Sequence, residues 1–409
     1  MKLNLLLKRE NFEDIFSKTL AKYLSSKKGW YGKIEWGLFN DGALNLVVNE
    51  HINLMFPAKI SSKEIRFLAK EYEYHPNILI RVMQFSYVYV CLNYFLRNIF
   101  ASNTLSITPE PTNFSHICIL PGNHSIRVVD LHANECVVLS KSGYGLTKIK
   151  NTIFLRTDFP NIPGPKILDY DFDEGWYVEQ RIFGLPLNRQ SDNTLKFKSL
   201  EAAKVYLCSM YDSTQKFVAL EGWLTLKLQQ MKRAATLLPE CYGVDTRKKL
   251  DGIILQLSIF SSRYVGADEL IEICVTHGDF QDANVLIPFE SEGVYIIDWE
   301  YGGERCRHYD AFVYNLNSRS PKGLGDRVDN LYKQSSDIER FKAWCGLASQ
   351  NKRSCNNDNY MLLVSFLFDE MLFRLDDTSV PYLNEPSAGF LTFMDEITKI
   401  FVLIDDSLR

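Results

Sequence analysis

The sequence predicts an α+β chain in which a small antiparallel sheet precedes a larger, mainly helical region. Three observations predict it. Residues 116–184 alternate short, β-branched apolar runs with Gly, Pro and Asn turns. Beyond about residue 190 apolar residues recur at helical spacing. Late in the chain, the apolar runs Ile271–Val275 and Val294–Ile297 each lead directly into polar residues, as strands do when they deliver side chains to a site.

The first 110 residues read as an N-terminal extension of unknown role. Phe12, Ile15, Phe16 and Leu20 share one helical face, so a helix is expected over Asn11–Leu24. Residues 43–56 read as strand and turn, stopped by Pro57. Ser62 is placed to cap a helix running to about Tyr72. Val82–Leu96 (VMQFSYVYVCLNYFL) is the most apolar stretch; it is bracketed by Arg81 and Arg97 and is shorter than the ~18 apolar residues of a spanning helix. It reads first as a buried core element and second as a membrane-surface contact. Ala101–Ser115, with two prolines, reads as a linker.

Over residues 116–184, His116–Leu120 and Ile126–Leu131 are strands around a Pro121–Ser125 turn, and Glu135–Ser140 is a third strand ending at Lys141. Lys166–Tyr170 and Trp176–Ile182 form a hairpin that runs on to Phe183-Gly184-Leu185-Pro186. From residue 185 to 409 the pattern is helical: Ser199–Val218, Thr246–Tyr264, Arg327–Cys345, Tyr360–Leu375 and Ala388–Leu403.

Composition narrows the class. With 409 residues the chain is long enough for two or three domains, and a net charge of −4 argues against a dedicated nucleic-acid binder. Nine cysteines lie singly with no C-x-x-C pair, which reads as reduced thiols in a cytoplasmic protein without a zinc or disulfide framework. The N-terminal apolar run is too short for a signal peptide, and no stretch is long enough to be a transmembrane segment.

The chemistry concentrates in His277-Gly278-Asp279-x-x-x-x-Asn284, followed by Ile297-Asp298-Trp299-Glu300. A loop of four residues can bring Asp279 and Asn284 back to one place. Two carboxylates and an amide oxygen are hard ligands of the kind Mg2+ takes alongside phosphate oxygens. A carboxylate off the metal can accept a proton from an attacking hydroxyl. An Asp-rich loop by itself is usually a solvated turn, but the offset to Asn284, the leading strand and the second motif occur together here.

This constellation resembles the catalytic signature of the aminoglycoside phosphotransferase and choline kinase-like family, small-molecule kinases with a bilobal protein-kinase-like fold. Members associated with capsule and surface polysaccharides are included in the resemblance. It implies Asp279 as the base, and Asn284 and Asp298 as Mg2+ ligands. His308-Tyr309-Asp310-Ala311 resembles the family's Tyr-Asp-Leu-Ala element, whose Asp braces the catalytic loop. His277 is expected to be structural.

The resemblance also implies an ATP site on the small lobe. The turn carrying Gly122 and Asn123 would lie over the phosphates, although a plain hairpin fits the same residues. Lys141 matches the family's phosphate-pairing lysine. Thr152 stands where its glutamate partner is expected, so either another acid replaces it or phosphate contacts weaken. Glu179, Gln180 and Ile182 lie in the stretch that resembles the adenine-binding hinge. The implied activity is ATP- and Mg2+-dependent phosphoryl transfer to a hydroxyl of a small molecule: a sugar, aminosugar or amino-alcohol. The alternative is a pseudokinase, a nucleotide-binding interaction module without turnover. Residues 356–409 carry ten acids and three bases, which reads as a solvated helix face or as an acidic acceptor pocket.

Overall fold

The computed structural model describes residues 3–72, 75, 77–159, 161–264, 269–289, 293–333, 344, 359–380 and 383–407. The chain divides into two compact units, Met1–Leu200 with Leu286–Ile297, and Glu201–Val285 with Asp298–Arg409. The boundary expected near residue 185 therefore falls at Leu200, and a later segment rejoins the first unit.

The first unit is built on a nine-stranded sheet. Its strands are β1 (Lys33–Trp36), β2 (Leu44–Asn49), β3 (Leu54–Pro57), β4 (Asn103–Thr108), β5 (Ile117–Pro121), β6 (Ser125–Asp130), β7 (Glu135–Ser140), β8 (Ile167–Asp171) and β9 (Trp176–Gln180). The spatial order is β1-β4-β2-β3-β5-β6-β7-β9-β8. Every pairing is antiparallel.

Period-2 alternation explains why both faces are apolar. Leu46 and Val48 of β2 join one core cluster while Val47 joins the other, and in β7 Val137 and Leu139 oppose Cys136 and Val138. Helices cover each face. The helices Leu3–Arg9 and Phe12–Lys28 place Phe12, Phe16, Leu20 and Leu24 on the first. The second receives Ile149 and Ile153 of the helix Thr147–Asp158. Phe12–Lys28 stops because Gly29 adopts a left-handed backbone, φ 61°, and Trp30 N–H returns to the Leu24 carbonyl at 3.1 Å.

Several expectations for residues 1–110 are corrected. The segment is no separate extension: β1–β4 belong to the same sheet as β5–β9, joined where Met55 pairs with Ile119. Part of the expected linker is β4, because Leu105 and Ile107 supply an apolar face that the Pro and Ser neighbours obscured. The helix cap is Ser61, not Ser62; its hydroxyl accepts from Glu64 N–H at 3.2 Å and Glu64 returns to Ser61 N–H at 3.1 Å. The apolar stretch forms the helix Ile78–Leu92, but only Val88, Cys91 and Leu92 of it are buried. Those three join the core on the second face of the sheet, and the rest of the helix is not buried as expected. No helix among the described residues is long and apolar enough to cross a membrane.

The second unit is mainly helical, with Leu220–Thr236, Gly243–Tyr264, Asn359–Thr378 and Ala388–Ser407 around a small antiparallel sheet of Lys216–Ala219, Leu270–Thr276 and Gly303–Cys306. The helix expected to reach Val218 ends at Thr214, and Phe217 lies in a strand paired with Glu272. The expected helix Arg327–Cys345 begins earlier, as Leu324–Lys333, and the stretch beyond lies almost wholly outside the described residues. The chain thus has both parts of the expected α+β organisation, an antiparallel-sheet unit and a mainly helical one.

Candidate active site

The strand Leu270–Thr276 delivers its chain into His277-Gly278-Asp279, and one buried side chain shapes that loop. Asp310 accepts hydrogen bonds from His277 N–H at 2.7 Å, Gly278 N–H at 2.8 Å and the Tyr211 hydroxyl at 2.8 Å. Three donors on one buried carboxylate fix the loop backbone as strand pairing ends. Gly278 is required there. Its φ is +83°, and a Cβ would lie 2.1 Å from the Tyr301 carbonyl oxygen. The His277 ring is fully buried, its centroid 4.6 Å from that of Trp299, so this histidine packs the loop as expected. These contacts also press the Asp298-Trp299-Glu300-Tyr301 segment against the loop.

Asp279 sits nearly buried at the loop's tip. Its Oδ2 accepts from Asn284 Nδ2 at 2.9 Å and Gln281 Nε2 at 3.0 Å, and its Oδ1 from Arg319 Nε at 2.5 Å. A carboxylate offers about four lone-pair positions; three are taken, which leaves one for an incoming hydroxyl. Asn284 Nδ2 also donates to the Asp279 carbonyl at 2.8 Å. With its amide nitrogen committed twice, the amide oxygen of Asn284 is the atom left to meet a cation.

Arg319 ties the base to the C-terminal helices. Its Nη1 donates to both oxygens of Glu370 at 2.8 Å, and its Nη2 donates to the Gly278 carbonyl. Its guanidinium carbon stands 3.6 Å from the centroid of the Phe373 ring. Arg374 Nε donates to Glu370 Oε1 at 3.0 Å, so charges alternate along Asp279, Arg319, Glu370 and Arg374. Burial works against the Arg319 charge, yet Glu370, Tyr309 and Asp279 push its pKa well above the ordinary value. Burial would raise the Glu370 carboxyl, but Arg319 and Arg374 bring it below its usual range.

Two further acids of residues 356–409, Asp377 and Asp369, are also engaged. Tyr301 donates to Asp377 at 2.6 Å, and Lys227 pairs with Asp369 at 2.6 Å. These two contacts brace the second unit, whereas Asp376, Glu385 and Asp395 are exposed, as on a solvated face.

Asp298 has the left-handed backbone φ 69°, ψ 51°, a region that Asp and Asn enter more readily than other side chains and that Asn53, Asn113, Asn134 and Asn317 also occupy. It ends the run Tyr295–Ile296 and opens the turn Trp299–Tyr301. Hard oxygen donors from Asn284 and Asp298 fit a Mg2+ ion in their chemistry.

The residues assigned to nucleotide lie in the first unit. Gly122 and Asn123 occupy the β5–β6 turn as expected, with Gly122 N–H bonded to the Ser125 carbonyl at 2.9 Å. Strand register sets Lys141 beside that turn, its N–H on the His124 carbonyl at 3.1 Å. The Lys141 side chain is fully buried: Nζ is 2.5 Å from Glu10 Oε1, 5.2 Å from the Phe12 ring and 5.3 Å from that of Tyr144. The acid that pairs with it therefore comes from the N-terminal helical cap, 131 positions earlier. Thr152 is buried and donates to the Lys148 carbonyl at 3.0 Å. Glu179 stands 3.7 Å from Arg156, and Gln180 N–H is spent on the Lys166 carbonyl at 2.8 Å. Ile182 comes just after the end of β9 and is half-buried.

Sequence reasoning missed Arg319, Glu370, Gln281 and Glu10. Only Gln281 carried a signal, its place inside the loop. The other three lie 40, 91 and 269 positions from Asp279 and carry no local pattern.

Beside the brace, His308 is fully buried, its Nε2 2.9 Å from the Ser365 hydroxyl. Burial lowers its pKa from 6.5 to about 4. The neutral ring therefore contributes stability that is complete above pH 6.5 and lost as pH falls toward 4. One proton taken up on unfolding amounts to roughly 2 kcal/mol between pH 7 and pH 5. Urea unfolding across that range is expected to show this loss, and His308→Asn is expected to flatten it. An unchanged slope in the variant would contradict the assignment.

Solved structures similar to this one include a choline kinase from Streptococcus pneumoniae, 12% identical, covering 70% of this chain and 89% of that one with a TM-score of 0.44. An ethanolamine kinase from Plasmodium vivax is 14% identical, covers 85% and 97%, and has a TM-score of 0.42. An aminoglycoside phosphotransferase from Streptomyces rimosus is 15% identical, covers 64% and 92%, and has a TM-score of 0.39. These are the kinds of protein whose loop signature this chain resembles. No family model and no curated protein matches the sequence. At such identities the chemistry is carried by this chain's own side chains.

Proposed function

We propose that the protein is an ATP- and Mg2+-dependent phosphotransferase acting on a hydroxyl of a small molecule: a sugar, an aminosugar or an amino-alcohol. The observation that carries this reading is Asp279, held by three donors with one lone-pair position left, on a loop braced by Asp310. The acceptor hydroxyl gives its proton to Asp279 as its oxygen bonds to the terminal phosphorus of ATP, and the bond to ADP breaks. Asn284 and Asp298 would hold Mg2+, which neutralises charge on the phosphate oxygens. Arg319 keeps Asp279 oriented and is not itself a proton carrier.

A second reading, a nucleotide-binding module without turnover, is favoured by one observation: the Lys141 ammonium is enclosed by Glu10, Phe12 and Tyr144. Thermal shift with Mg-ATP, for wild type and Asp298→Ala, is the first test. A ligand bound only by the folded state stabilises it by about 2.7 kcal/mol at a hundredfold excess over Kd. A shift lost in Asp298→Ala, followed by ADP release with choline, ethanolamine, glucosamine or an aminoglycoside, supports the transferase. A shift without turnover on any hydroxyl acceptor supports the module. No shift at millimolar Mg-ATP removes both.

A further inference from the structure

The helix Ile78–Leu92 and the turns to Phe100 present an apolar surface left uncovered among the described residues. Met83 is 71% exposed, Leu79 72%, Ile99 73% and Phe95 83%. Ile78, Val82, Tyr89 and Tyr94 extend the patch. Apolar patches this continuous mark interaction sites. The segment is also firmly built. Asn77 caps the helix by accepting from Leu79 and Ile80 N–H at 2.9 and 3.3 Å. Arg97 is fully buried and donates to the Ile60 and Leu92 carbonyls at 2.6 and 3.0 Å. The apolar side chains are thus held outward by a packed base.

We propose that this segment seats the protein on an anionic lipid surface. At 100° per residue the exposed positions from Phe85 round to Ile80 sweep about 220° of the helix. A protein groove takes a single stripe, whereas acyl chains can close around so wide an arc. The helix has 15 residues, so it lies on a bilayer and does not span it.

Charge points the same way. Residues 77–100 contain two arginines and no acid, and residues 59–100 carry six Lys or Arg against three Glu in a chain of net charge −4. Lys59, Lys63 and Arg66 are exposed. Glu64, the acid among them, is occupied by His116 Nδ1 at 2.6 Å and His132 Nε2 at 3.1 Å. Tyr89 and Tyr94 supply rings suited to the headgroup boundary.

The test is flotation of the full chain with phosphatidylcholine vesicles and with phosphatidylcholine–phosphatidylserine vesicles, at low and high salt. Wild type is expected to float with the anionic vesicles and to be released by salt. The triple variant Leu79→Glu, Met83→Glu, Phe95→Glu is expected to lose roughly tenfold or more of that binding. All three side chains are exposed, so its melting temperature is expected to match wild type. Should that variant misfold, Met83→Glu by itself reads the same surface. Failure of wild type to float, or equal flotation by a folded variant, overturns the proposal. Wild type that dimerises in light scattering and ignores vesicles, with the dimer lost in the variant, assigns the patch to a second copy instead.

Discussion

Asp279→Asn is expected to lower kcat by about a thousandfold, within the range that a positioned general base supplies, while Mg-ATP still raises the melting temperature. The substitution keeps the shape of the side chain and removes the lone pair that would take the acceptor's proton. Its effect should fall on kcat and leave the apparent affinity for acceptor nearly unchanged, because Asp279 acts on the hydroxyl as charge develops. Arg319, deprived of its anion at Nε, still has Glu370 at 2.8 Å, so the fold should survive. Steady-state ADP release with the acceptor identified by the screen decides it. Activity within tenfold of wild type would show that Asp279 is a structural anion and not the base.

Asp310→Ala should cost the second unit roughly 3–5 kcal/mol, because two backbone N–H groups and a hydroxyl lose their acceptor in a buried place. Tyr211→Phe removes one of the three bonds and calibrates the scale at about 1 kcal/mol. Urea midpoints of the two variants against wild type measure both losses. A cost for Asp310→Ala near that of Tyr211→Phe would mean that water or a neighbouring group takes over the loop's donors, and that the brace is dispensable. Activity should fall with the brace, since His277 and Gly278 position Asp279.

Much of the site was legible because its parts are local. Asp279 and Asn284 lie within six residues, and a tight loop closes them regardless of what surrounds it. Asp310 was readable from its own motif. The β5–β6 hairpin was predictable from β-branched runs around Pro121-Gly122-Asn123. The helices Phe12–Lys28 and Gly243–Tyr264 were predictable from their periodicity.

Other features depended on distant partners. Val82–Leu96 reads as core from composition, but burial is a property of what packs on a helix, and here only one narrow face is packed. Four N-terminal strands read as an appendage because sheet pairing links residues far apart: β4 pairs with both β1 and β2, across more than fifty intervening positions. Thr152 showed that the usual acid was missing; it could not show that Glu10, arriving on the opposite cap, would reach Lys141.

The sequence by itself determined the reacting constellation, the α+β class and the order of strand, loop and helix around Asp279. Those depend on backbone propensity and short-range spacing, which a single sequence displays. Only the tertiary structure decided that Arg319 and Glu370 hold the base, that Glu10 neutralises a buried lysine, and that an apolar helix faces outward. Each of these joins side chains separated by 40 to 131 positions or requires knowing which face is covered, and such pairings are set by packing, which no local pattern encodes.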